Sequence, residues 1–341
     1  MQRAERHQLI KEIEKLRGSR VLVYIAGDRQ GLETRIAADI FPFFLSHLAQ
    51  MGPQEKIDLY IYSTGGATIA GYGLVNLIKE FCKSFNVIVP FKAMSCATLI
   101  ATGADEIVMT KMGQLSPIDP SLTSPLGPVV SVPGQPGAAQ VVPLNVEDVM
   151  SYLDLAKKYA GSDEDKTLMA RIFEKLSDAV NPLALGAVNR VREQIGFLAT
   201  TLLSGHIKDK DTVDKIVETL IRGRFSHDYL IGRKEAREVI HLPIVDPVDP
   251  VLEDKIVQLY SEYDNLLQLS VPYHPEIVLA GNETNSADLN RAIIESNGLT
   301  HVFRTNREVT RITLSPPIVP SPVVAYQERI ISERWVKDDS F

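Results

Sequence analysis

The sequence predicts an α/β fold built on a parallel sheet, followed by a mainly helical segment and a C-terminal extension. Three observations predict it. Short apolar runs at 21–25, 57–62, 87–90 and 106–109 are nearly continuous, as in strands buried on both faces. Stretches of helical period separate them, so strands and helices alternate. Between Asp58 and Asp119 two strand–turn–helix units follow in tandem, and small residues make both turns.

Residues 2–17 read as an amphipathic helix with Leu9, Ile13 and Leu16 on one face, ended by Gly18-Ser19. A strand at 21–25 is punctuated by Gly27-Asp28. A helix over about 36–51 carries Ile40, Phe44, Leu48 and Met51 at helical spacing, and Pro42 leaves its start or a kink open. In the first tandem unit the strand 57–62 meets Ser63-Thr64-Gly65-Gly66, and a helix runs over about 67–81. Leu74, Leu77, Ile78 and Phe81 form its core face. Gly71 and Gly73 sit in its interior, where each costs about 1 kcal/mol against alanine. Close helix packing is the ordinary reason for such glycines. In the second unit the strand 87–90 leads through Lys92-Ala93-Met94-Ser95-Cys96 into an apolar helical run ending at Ala101.

The stretch 121–143 is rich in Pro and Gly without apolar period, and reads as a surface loop or mobile arm beside the site. Helices are expected over 145–160, 162–176, 182–204, 211–223 and 233–240. Asn181-Pro182 supplies a cap and a first-turn proline to the third of these. Composition changes at 246–250. A helix over about 252–269 follows, then two β-prone runs at 301–314 and 323–335 that can pair as a hairpin. The expected division is therefore 1–245 and an extension, 246–341, of unassigned role.

With 36 basic and 43 acidic residues the formal charge is −7, so the basic surface of a nucleic-acid binder is missing. Cys82 and Cys96 are the two cysteines and lack metal-ligand spacing, which fits a reducing compartment. The charged first 20 residues lack the apolar core of a signal peptide, and no stretch reaches membrane-spanning length. A soluble cytoplasmic protein without cofactor is the expectation.

The chemistry concentrates at the two turns. A helix starting directly from a strand end points backbone N–H groups outward, where negative charge is favoured. A diglycine turn beside a serine-bearing turn is a candidate oxyanion hole beside a nucleophile. A serine before a helix is also a common N-cap, and a diglycine can simply make a tight turn. On the residues alone both roles stand.

Five motifs in order carry a resemblance: Ser-Thr-Gly-Gly-Ala at 63–67, Ala-Met-Ser-Cys-Ala-Thr-Leu-Ile-Ala at 93–101, Gly-Ala-Asp-Glu-Ile-Val-Met at 103–109, Leu-Ser-Pro-Ile-Asp-Pro at 115–120, and Ser-His-Asp-Tyr-Leu-Ile at 226–231 with Glu235-Ala236. Over about residues 5–245 the chain resembles the Clp-fold serine proteases, and within them the serine dehydrogenase proteinase family. The resemblance implies a Clp/crotonase-like fold of repeated β-β-α units and a homo-oligomer. It also implies an acyl-enzyme peptidase acting on a peptide or protein, with Ser95 as nucleophile, Asp119 as acid and His227 as base. Gly65, Gly66 and Cys96 then make the oxyanion hole. Cys96 stands where the family carries Ala or Gly, and its size could narrow that pocket. Leu230 stands where the motif commonly has Pro.

The bland readings remain beside these. Asp119 before Pro120 suits an Asx turn, and Asp228 is its rival as acid. His227-Asp228 could cap a turn. A Ser–Lys dyad, as in the related signal peptide peptidase A group, would take Lys92 or Lys111 as base, and such a lysine must be desolvated. The alternatives in function are crotonase-like chemistry on an acyl thioester, or a catalytically silent scaffold.

Overall fold

In the computed structural model, residues 3–118, 121–122, 126–127, 129–131, 139–142, 144–160, 166–221, 229–246, 248–314 and 323–338 are described. They fall into two compact units, one of residues 1–115 with 230–341 and one of residues 116–229.

The first unit starts with helix α1 (Arg3–Arg17), strand β1 (Arg20–Ala26) and helix α2 (Phe41–Met51). Strand β2 (Gln54–Tyr62), helix α3 (Thr68–Lys79), strand β3 (Cys82–Val89), a two-residue strand β4 (Lys92–Ala93), helix α4 (Cys96–Thr102), strand β5 (Glu106–Met109) and strand β6 (Gln114–Leu115) follow. β1, β2, β3 and β5 pair in parallel, as their unbroken apolar runs predict. Pro42 lies in the first turn of α2 and does not kink it.

The second unit carries short strands β7 (Ser121–Leu122), β8 (Val129–Ser131), β9 (Ala139–Val141) and β10 (Leu144–Asn145), then helices α5 (Val146–Ala160), α6 (Lys166–Ala179), α7 (Pro182–Ser204) and α8 (Lys210–Ile221). Asn181 caps α7 by accepting the Leu183 N–H at 2.9 Å. The described part of 121–143 is not all loop: β8 and β9 pair antiparallel, and β7 pairs with β10.

The chain re-enters the first unit at strand β11 (Ile231–Gly232), which pairs with β6. Helices α9 (Arg233–Glu238), α10 (Pro250–Leu267) and α11 (Pro275–Leu279) precede three long strands, β12 (Thr284–Ser296), β13 (Leu299–Leu314) and β14 (Val323–Lys337). β13 and β14 form the expected hairpin. These strands also continue the central sheet, because β12 lies antiparallel on β1 with Val23 opposite Glu295. The order is β14-β13-β12-β1-β2-β3-β5.

The two faces of β1 separate the layers. Val21, Val23 and Ile25 join Leu9, Ile10 and Ile13 of α1 and Leu252, Ile256 and Leu259 of α10 in one core. Tyr24 faces the other way and meets Phe44 of α2 edge-on at 5.4 Å. Each fully buried aliphatic side chain contributes about 1.5–3 kcal/mol. Leu16, expected on the buried face of α1, is exposed in the helix's last turn.

Buried charge ties α1 to the sheet and to α10. Arg6 donates to both carboxylate oxygens of Glu295 at 2.9 and 3.0 Å, and Tyr263 and Thr300 donate to the same carboxylate. Burial alone would raise the Glu295 pKa. The favourable interactions with His7, 3.3 Å away, with Arg6 and with Tyr263 outweigh it and bring the value to about 2.

Candidate active site

The site forms where β2 and β3 end and α3 and α4 begin. Ser63 joins the two turns. Its N–H donates to the Lys92 carbonyl and its own carbonyl accepts the Met94 N–H, both at 2.9 Å. The Ser63 hydroxyl accepts the Gly65 N–H at 3.0 Å and donates to the Gly65 carbonyl at 3.3 Å. The diglycine loop is thereby fastened to the turn that carries Ser95.

Gly65 and Gly66 have φ of +115° and +155°. A Cβ on Gly65 would stand 2.9 Å from the Ser95 Cβ and 3.4 Å from the Cys96 nitrogen. A Cβ on Gly66 would stand 2.2 Å from the Ile36 carbonyl oxygen. Ile36 cradles this loop as an extended residue: its N–H donates to Gly65 and its carbonyl accepts from Ala67. Ile36 escaped the reading of the sequence, which gave it to the start of a helix. The glycine requirement at Gly66 was the trace it left.

Ser95 occupies the N-cap position of α4, yet its side chain makes no capping bond. Its φ is +50°, an uncommon conformation for a residue with a Cβ and one that clusters at functional sites. The neighbouring turn is held by the Ala97 N–H on the Met94 carbonyl, the Leu99 N–H on the Ser95 carbonyl and the Thr98 hydroxyl on the Ala93 carbonyl. Among the described residues the N–H groups of Gly66 and Cys96 have no hydrogen-bond acceptor. Cys96 directly follows Ser95, and Gly66 directly follows Gly65, whose Cβ position lies 2.9 Å from the Ser95 Cβ.

Cys96 does not crowd this space. Its side chain is fully buried between α3 and α4, where it occupies the notch left by Gly71. Burial pushes its thiol up to about 12, so it is not a thiolate nucleophile. The interior glycines of α3 now have their reason: a Cβ on Gly71 would lie 2.5 Å from the Cys96 sulfur, and one on Gly73 2.8 Å from the Phe41 ring.

The two lysines weighed as bases are both engaged. Lys92 pairs with Asp28 at 2.7 Å, and Tyr62 donates to the same carboxylate. Lys111 is 79% exposed and pairs with Glu253 at 3.2 Å. Neither is the desolvated, unpaired amine that a dyad needs. Asp119, His227 and the rival acid Asp228 lie outside the described residues. The structure thus brings Ser95, Gly65, Gly66 and Cys96 together. Among the described residues no group of three or more His, Cys, Asp or Glu side chains is arranged to hold a metal ion, and no helix is long and apolar enough to cross a membrane.

Comparison with known proteins follows the same residues. The chain is 29% identical over 245 residues to the uncharacterized protein MJ0137 of Methanocaldococcus jannaschii, covering 69% of this chain and 71% of that protein. It is 34% identical over 126 residues to the uncharacterized protein MJ1495 of the same organism, covering 35% and 42% respectively. Among solved structures it is similar to the 1510-N membrane-bound stomatin-specific protease S97A mutant, at 15% identity and a TM-score of 0.37, over 70% of this chain and 85% of that one. The family described as ClpP-like SDH-type serine proteinase matches residues 1–165, a span that contains both turns, Ser95 and Asp119. The similarity to the ClpP-like SDH-type serine proteinases thus covers residues 1–165, a little under half of the 341-residue chain.

Proposed function

We propose that the protein is a serine peptidase that cleaves peptide bonds through an acyl-enzyme on Ser95. The observation that carries this is the Ser95 turn: a serine at φ +50°, outside any capping bond, with the Gly65 backbone packed on its Cβ. The similarity of residues 1–165 to ClpP-like SDH-type serine proteinases supports the same reading. In it His227 takes the Ser95 proton as the hydroxyl attacks the scissile carbonyl, and returns it to the leaving amine. Asp119 orients the imidazole and stabilises its charged form. The N–H groups of Gly66 and Cys96 hold the tetrahedral oxyanion, with Gly65 spacing the loop. Residues 1–245 form the catalytic part in a Clp/crotonase-like fold. Residues 246–341 are a C-terminal extension of unassigned role, although their strands share the central sheet. The working form is a homo-oligomer, and the substrate is a peptide or protein.

The test is a fluorogenic peptide library screened with the full chain, with intact mass recorded during turnover of a slow ester. Hydrolysis with an acyl adduct on Ser95 is expected. Hydrolysis unaffected by Ser95→Ala refutes the reading.

A further inference from the structure

The Cys96 thiol has a place in the site beyond filling space. It donates to the Ala67 carbonyl at 3.2 Å, and the same carbonyl accepts the Gly71 N–H at 3.1 Å. Ala67 directly follows Gly66, while Cys96 supplies its own backbone N–H to the site. The two candidate oxyanion donors are therefore joined by one short path, from the Gly66 nitrogen through Ala67 to the thiol and back to the Cys96 nitrogen. Gly71 is what lets the path close. Any Cβ there would meet the sulfur at 2.5 Å and Ile100 at 3.2 Å, so the thiol would have to leave its seat.

We propose that Cys96 is a positioning residue of this site: its thiol, seated in the Gly71 notch and bonded to the Ala67 carbonyl, fixes the spacing between the N–H groups of Gly66 and Cys96. The inference deepens the serine peptidase reading and rests on it. A serine at position 96 keeps a donor to Ala67. An alanine loses the donor and leaves the notch empty, so α3 and α4 are free to shift by fractions of an ångström. Misplacement on that scale slows a positioned reaction with little effect on reversible binding. Gly71 and Cys96 are accordingly a coupled pair, and a change at one alters what the other tolerates.

The test measures phosphonylation of the full-length protein by a fluorophosphonate, separating reversible binding from the rate of bond formation and mapping the adduct by mass spectrometry. Cys96→Ala is expected to lower the bond-forming rate about tenfold with binding unchanged. Cys96→Ser is expected to restore most of that loss. Gly71→Ala is expected to lose more than Cys96→Ala, and the Gly71→Ala/Cys96→Ala double variant to recover to the level of Cys96→Ala, because the added methyl fills the seat the sulfur vacates. A Cys96→Ala protein that reacts at the wild-type rate, a Cys96→Ser protein as slow as Cys96→Ala, or a double variant whose loss is the product of the two single losses overturns the inference. A wild-type protein with no adduct on Ser95 overturns the peptidase reading and this inference with it. A wild-type adduct indifferent to position 96 overturns this inference alone.

Discussion

Gly65 and Ser95 stand 30 positions apart in sequence and close to backbone contact in space: a Cβ on Gly65 would lie 2.9 Å from the Cβ of Ser95. The diglycine loop is the wall against which the candidate nucleophile is set. Gly65→Ala adds a methyl group to that wall and strains a φ of +115°. Reaction of Ser95 with a fluorophosphonate should fall about 100-fold, on the scale of losing an oxyanion donor. Gly66→Ala instead strikes the Ile36 backbone, and should cost about 1–3 kcal/mol of stability in urea unfolding as well. Wild-type reactivity in Gly65→Ala would show that the loop does not wall the site.

The base is decided by titration. With His227 as base, the rate of Ser95 modification rises with pH through a midpoint of about 6.5, because only neutral imidazole accepts the proton. His227→Ala should abolish the rise. Asp119→Asn should reduce the plateau by a comparable or smaller factor, since triad members act as a unit. Lys92→Met should leave the midpoint in place, because Lys92 is committed to Asp28. A midpoint that vanishes in Lys92→Met and survives in His227→Ala would assign a Ser–Lys dyad.

Arg6 and Glu295 test what fastens α1 to the sheet. Arg6→Ala leaves a buried carboxylate without its bidentate partner and should cost about 3–5 kcal/mol in denaturant unfolding. The sign in pH is fixed by the depressed Glu295 value of about 2. Its contribution is full above the unfolded carboxylate pKa of about 4.3 and is lost as pH falls toward 2. Without Arg6 the folded value rises, so acid unfolding should begin at higher pH. An unchanged acid midpoint would remove Arg6 from the account.

His47 gives a second pH dependence in a different window. It is buried between Ser296 at 2.7 Å and His301 at 3.0 Å. Burial first, and His301 next, depress it to about 3. The unfolded chain takes up a proton below about 6.5 that the folded chain refuses, so stability should fall as pH drops from 6.5. Urea midpoints measured between pH 7.5 and 5 keep clear of the Glu295 window. The slope should flatten in His47→Gln. Equal slopes would contradict the assignment.

How much of this the sequence carried depends on how local the signal is. The parallel core was legible because strands buried on both faces write unbroken apolar runs, as at 57–62. The cap of α7 was legible because Asn181-Pro182 is a local signal. The pairing of β12 with β1 was not, since Val23 and Glu295 are brought together by register and no neighbouring residue announces it. In the site, Ser95 and the diglycine stood out as turn residues. The Cys96–Gly71 fit could not, because Gly71 marked a close approach without naming what approached. Ile36 was misread because the helical spacing after it masked the extended Ile36-Ala37 pair that precedes the helix.

The central claim is that Ser95 is an activated nucleophile, and one measurement reaches it directly. The full-length protein is treated with a fluorophosphonate at neutral pH, digested, and the modified residue identified by mass spectrometry, beside a folded Ser95→Ala control. The account predicts a single stoichiometric adduct on Ser95 and none in the control. An unmodified wild-type protein, or an adduct that persists at another residue in Ser95→Ala, would contradict it.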